Sequence, residues 1–125
     1  IDLGPGNHAI AFEYRCERWL KFALGWYHEV DLTDYSGFVV TMWANEPLVG
    51  RIELGMGGPN YPWEAYFLDD FRIPDVPTRF RIPFSAFDPR ISEEALLHVR
   101  GIAVFPPSGS GIIYWDELGL YSDDQ

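Results

Sequence analysis

Apolar and polar residues alternate along this chain in short blocks, and Gly, Pro, Asn and Asp punctuate the gaps between them. A two-residue period marks a strand with one buried face, because successive side chains point to opposite sides of a sheet. The pattern predicts about eight strands, over residues 9–14, 19–26, 37–45, 49–56, 63–68, 78–82, 99–105 and 112–121. Ile10, Phe12 and Tyr14 share a face, as do Leu20, Phe22, Leu24 and Trp26. Phe38, Val40 and Met42 point inward, and so do Ile52, Leu54 and Met56, and Phe80 with Ile82. Residues 32–35 read as a turn, and residues 57–62 and 106–111 as Gly- and Pro-rich loops. Ser92 ahead of Glu93, Glu94, Ala95, Leu96 and Leu97 starts a helical connector of only about two turns. Many short strands with almost no helix predict an all-β fold, a β-sandwich jelly roll of two antiparallel sheets.

Composition sharpens this picture. A chain of 125 residues is the size of one domain, and residues 1–125 show no internal repeat, linker or boundary. Hydrophobic residues make up 47% and aromatics 17%, enough to build a core and leave rings outside it. Nine Lys and Arg against nineteen Asp and Glu give a net charge of −10 without a basic cluster, which argues against nucleic-acid and anionic-membrane partners. No apolar run is long enough to cross a bilayer as a helix, so a soluble domain is expected. The abrupt start at Ile1 and the end in Ser122, Asp123, Asp124 and Gln125 read as a segment of a longer polypeptide, any export signal lying upstream. Cys16 is alone, which leaves no intrachain disulfide and no Cys-based zinc site.

Catalytic patterns are not found in the sequence. Glycoside cleavage needs two carboxyls facing each other across a bond. Asp116 and Glu117 are adjacent in a strand pattern and project to opposite faces, Asp69–Asp70 falls at a predicted strand end, and Glu93–Glu94 suits the first turn of a helix. His8, His28 and His98 have no metal-ligand spacing, and neither a nucleophile elbow nor a phosphate loop is present. Gly4-Pro5-Gly6 and Gly55-Met56-Gly57-Gly58 read as turns. An enzyme is not predicted.

Outward-facing aromatics beside polar residues carry more information, because sugar rings stack their C–H faces on flat aromatic rings while their hydroxyls need fixed donors and acceptors. Trp43 lies off the Phe38/Val40/Met42 face, Arg51 and Glu53 off the Ile52/Leu54 face, and Arg79 and Arg81 off the Phe80/Ile82 face. If the strands that bear them are neighbours, these residues form one polar-aromatic surface, bordered by Asn60, Tyr61, Trp63 and Tyr66. Trp115, alternating with Ile113, fits either this surface or the core. Trp19 and Trp26 read as structural. Any one tryptophan is ordinarily core or core edge, and Arg51 with Glu53 is equally an ordinary ion pair; only the set points to a sugar ligand.

Four stretches taken in order extend the reading: 31–43 (DLTDYSGFVVTMW), 80–87 (FRIPFSAF), 101–104 (GIAV) and 113–118 (IYWDEL). Together they resemble the β-jelly-roll carbohydrate-binding modules with a galactose-binding-like fold that are appended to bacterial β-glucanases. The resemblance covers the chain from about Asp31 onward. It implies a non-catalytic, secreted module, monomeric within a larger multimodular enzyme, that binds plant cell-wall β-glucan (β-1,4-linked, mixed-linkage or xyloglucan) in a sheet-face cleft. It also implies a structural Ca2+ held by Asp116 with Glu13 or Asp2, hard oxygen ligands of the kind calcium takes. A buried Asp116 satisfied by backbone N–H groups is the alternative at that position. The alternative for the whole chain is a jelly-roll protein-interaction domain without glycan binding, since Trp, Tyr and Arg are also the residues of protein hot spots.

Overall fold

The computed structural model describes residues 2–4, 7–8, 10–16, 22–107 and 109–122. Among these residues there are ten strands: β1 (Asp2–Gly4), β2 (Asn7–His8), β3 (Ile10–Cys16), β4 (Phe22–Val30), β5 (Gly37–Ala44), β6 (Leu48–Gly58), β7 (Tyr61–Ile73), β8 (Thr78–Pro83), β9 (Val99–Phe105) and β10 (Gly109–Tyr121). Strands β1 and β2 pair only with each other. The remaining eight form two four-stranded antiparallel sheets, ordered β3-β10-β5-β8 and β4-β9-β6-β7. Counting these eight from the first, the orders are 1-8-3-6 and 2-7-4-5, the double Greek key of a jelly roll. The fold class predicted from the alternation is the one observed.

The alternation also places the core. Phe38, Val40 and Met42 of β5, Ile113 and Trp115 of β10 and Ile82 of β8 face Ile52, Leu54 and Met56 of β6 and Ile102 and Val104 of β9 across the sandwich, and all are buried. Leu32 plugs the turn between β4 and β5, its N–H donating to the Leu96 carbonyl at 2.8 Å. The connector after Ser92 is a single 3-10 turn, Ala95–His98, and the Ser92 hydroxyl accepts the Ala95 N–H at 3.1 Å as the sequence signal implied.

Four local readings change. Residues 109–111, expected within a loop over 106–111, open β10 and pair with β3. Residues 57–62 are not an open loop: β6 runs to Gly58, β7 starts at Tyr61, and only Pro59 and Asn60 turn the chain. Asp69 and Asp70 lie inside β7, beside a register shift between Gly50 and Ile52, with Asp70 at φ 54°. Glu117 (φ 52°) sits in a second bulge between Asp116 and Gly119, so the simple opposite-face rule for Asp116 and Glu117 does not hold there. The predicted strand start at Trp19, the turn at Gly4-Pro5-Gly6 beyond Gly4 and the side chains of Asp2, His8, Cys16, Trp26 and His28 lie outside the described residues.

Candidate functional site

The sandwich separates the expected surface into two. Trp43 (β5), Arg79 and Arg81 (β8) decorate the outer face of the first sheet, whereas Arg51, Glu53 (β6) and Trp63 (β7) decorate the outer face of the second. These are opposite sides of the molecule, so the single polar-aromatic surface is corrected. The reason is topological: apart from the β6–β7 hairpin, strands of the two sheets that are adjacent in sequence change sheets here, and alternation tells inside from outside but not which sheet.

On the first sheet the aromatic groups are already engaged. Trp43 is only 8% exposed and stacks on Tyr114 of β10, centroids 5.0 Å apart and planes at 16°. Arg79 reaches Glu117 at 3.6 Å, and the Arg81 guanidinium lies 4.0 Å above the Tyr121 ring. Two further candidates belong inside. Trp115 is 2% exposed on the inner face, and Tyr66, 8% exposed, pairs inward with Leu54 and donates its hydroxyl to Glu64 at 3.1 Å.

The second sheet presents a different surface. Strand pairing aligns Gly25 with Gly101, Gly101 with Gly55, and Gly55 with Ala65, a row of minimal side chains across all four strands. These glycines are not dictated by crowding. A Cβ at Gly55 or Gly25 would meet only backbone oxygens, at 3.9 and 3.6 Å, which is ordinary contact. The row is therefore the floor of a channel about 15 Å long between its outer strands.

One wall of the channel is Trp63, 74% exposed. Its indole lies across Gly57, so closely that a Cβ there would sit 2.7 Å from the ring. The Arg100 guanidinium stands 5.6 Å from the ring centroid. The opposite wall stands on β6 and β7 only, where Glu53 pairs with Phe67; on β9 the same row holds Ala103. Arg51 covers Phe67 at 4.7 Å and bonds to Asp69, which turns it away from the channel. From Gly57 to Glu53 is four residues, about 13 Å along the strand, room for one extended chain between the side chains.

The hairpin that presents Trp63 is braced from beneath. Tyr61 donates to Glu64 at 2.8 Å and stacks on His98, centroids 4.3 Å apart at 14°. His98 Nδ1 lies 2.7 Å from Glu29, whose carboxylate packs on Gly58. Burial, and then the bond to Glu64, push the Tyr61 phenol up to about 12, and the same two causes raise Tyr66. Tyr61 is thus a strut of the hairpin rather than an exposed platform.

Glu13 and Asp116, expected to share a metal, are not brought together. Glu13 pairs with Ile112, four residues or about 13 Å along β10 from Asp116. Asp116 accepts the Glu117 N–H at 2.9 Å, and no group of three or more His, Cys, Asp or Glu side chains converges among the described residues.

The channel floor and Arg100 were missed in the sequence. Gly25, Gly55, Gly101 and Ala65 each occupy an outward position next to an inward apolar residue, so the signal was present. Only the register shows that they line up.

No family model matches the sequence, and no curated protein matches it. Solved structures do. A family 11 carbohydrate-binding module from Clostridium thermocellum, in complex with a β-1,3-1,4-mixed-linked tetrasaccharide, superposes with a TM-score of 0.68 at 12% identity, covering 95% of this chain and 85% of that one. The family 11 module of the cellulosomal cellulase Lic26A-Cel5E of the same organism gives 0.67 at 12% identity, covering 95% and 84%. The solution structure of CtCBM11 gives 0.62 at 12% identity, covering 92% and 90%. At this identity the likeness establishes the shared fold.

Proposed function

We propose that this chain is a non-catalytic carbohydrate-binding module that takes a β-glucan chain across the outer face of the β4-β9-β6-β7 sheet. The observation that carries the reading is the Gly/Ala channel lying open beside an indole that is 74% exposed. An exposed indole held flat on a glycine offers the apolar plane that a pyranose stacks on, and the adjacent Arg100 and Glu53 supply a donor and an acceptor for hydroxyls. The channel length suits about three hexose rings of one chain. The mixed-linkage tetrasaccharide in the family 11 complex supports β-1,4- or mixed-linkage glucan as the ligand class, with xyloglucan as a further candidate. In this role the domain acts outside the cell as a tethering part of a larger enzyme.

Affinity gel electrophoresis against barley mixed-linkage glucan, hydroxyethylcellulose, xyloglucan, xylan, galactan and mannan tests the reading. Retardation by a β-glucan, and its loss in Trp63→Ala, is the expected result. Unchanged mobility on every polysaccharide overturns it and favours the protein-interaction alternative.

A further inference from the structure

Beyond the Glu53–Phe67 ridge, where β9 ends against the start of β6, there is a second concavity of about 490 Å3. It lies about 16 Å along β6 from the channel floor, measured from Gly55 to Gly50. Part of its lining is apolar: Val49, 43% exposed, with Phe105 and two consecutive prolines, Pro106 and Pro107. Gly50 lets the end of β9 settle onto β6, since a Cβ there would meet the Phe105 carbonyl oxygen at 2.7 Å.

The rim is polar and acidic. Arg51 and Asp69 neutralise each other, and Asp70 adds a further carboxylate from a left-handed backbone position that residues other than glycine rarely adopt. With Arg51 and Asp69 paired, Asp70 leaves the rim net negative, which in a chain of charge −10 repels anions. An entirely apolar ligand would desolvate these charges without compensation. A neutral ligand with an apolar face and hydroxyl edges satisfies both apolar lining and rim, which is the chemistry of a hexose ring.

We propose that this cleft is a second saccharide subsite, taking a neutral hexose ring of the glycan class bound in the channel. The inference rests on the functional reading above but on different residues. It gives Arg51 a role on the far side of the ridge from Trp63, and it makes one sheet face bivalent.

The test is a backbone amide NMR titration with a mixed-linkage glucan tetrasaccharide, applied to the wild type, Trp63→Ala and Asp70→Gly. Glycine is the residue least strained at φ 54°, so Asp70→Gly keeps the fold while removing the carboxylate. Two groups of shifts are expected in the wild type, one at Gly55, Ala65 and Gly101 and one at Val49, Gly50 and Phe105. Trp63→Ala abolishes the first group and leaves the second midpoint within about twofold, whereas Asp70→Gly weakens the second at least about fivefold and spares the first. Shifts confined to the channel overturn the second subsite and leave the functional reading intact. No shifts anywhere overturn both.

Discussion

A tryptophan on a β-sandwich is ordinarily core, and the contrast between Trp63 and Trp115 shows what separates the two uses. Trp115 is buried between the sheets, so Trp115→Ala should cost about 3–5 kcal/mol in chemical denaturation. Trp63 touches the fold mainly through Gly57, and Trp63→Ala should weaken glucan binding at least about tenfold while Tm moves by no more than about 2 °C. A collapse in Tm would show that the ring is structural. Gly57→Ala leaves the indole in the sequence but places a methyl where the ring now lies, at a backbone φ of 157° that strains any side chain, so loss of retention should come together with a lower Tm. The sequence offered both as candidates, Trp115 by its alternation with Ile113 and Trp63 by its place beside the Gly-Pro loop. It could not separate them, because Trp115 follows the inward Ile113 by two residues and Trp63 sits at a hairpin whose length the Gly-Pro signal overstated.

The β6–β7 hairpin is the element on which the channel depends. Its floor position Gly55 has room for a side chain without strain on the sheet, so Gly55→Leu should fold with an unchanged or higher Tm and lose glucan retention. Its brace reports separately through Tyr61. The fold holds this phenol neutral, with its pKa raised from 10.0 to about 12, so the unfolded chain ionises first. The stability this group contributes is complete below about pH 10 and is lost as pH rises through about 12. Tyrosinate absorbance should show late-ionising phenols from Tyr61 and Tyr66, a component that shrinks in Tyr61→Phe; a wild-type titration complete near pH 10 would contradict the burial and Glu64 bonding of these phenols. Most strands were legible in the sequence, since Phe38/Val40/Met42 and Ile52/Leu54/Met56 alternate cleanly. The partition of strands between sheets was not, because pairing β5 with β8 and β6 with β9 involves contacts far apart in sequence that leave no local period.

For the molecule as a whole, the proposed glycan binding should not depend on charge. A chain of net charge −10 repels itself, so Tm should rise between about 10 and 150 mM salt as screening sets in. A neutral glycan held by stacking and hydrogen bonds should keep its affinity within about twofold over the same range. A steep salt dependence would indicate a charged ligand instead. The split of Trp43, Arg79 and Arg81 from Trp63 belongs to this scale too: the sequence reveals which residues face outward, but the side of the sandwich they occupy is a property of the closed fold.

The row formed by Gly25, Gly101, Gly55 and Ala65 would meet a ligand bound in the channel with backbone and a single methyl. Such a floor has no functional group that truncation can take away. An alanine scan would pass over it almost silently, reporting Trp63 and the channel rim as the whole footprint, while a scan with bulky residues would trace the full path of the chain. Its evolutionary record should be equally one-sided, with tolerance for small residues and exclusion of large ones.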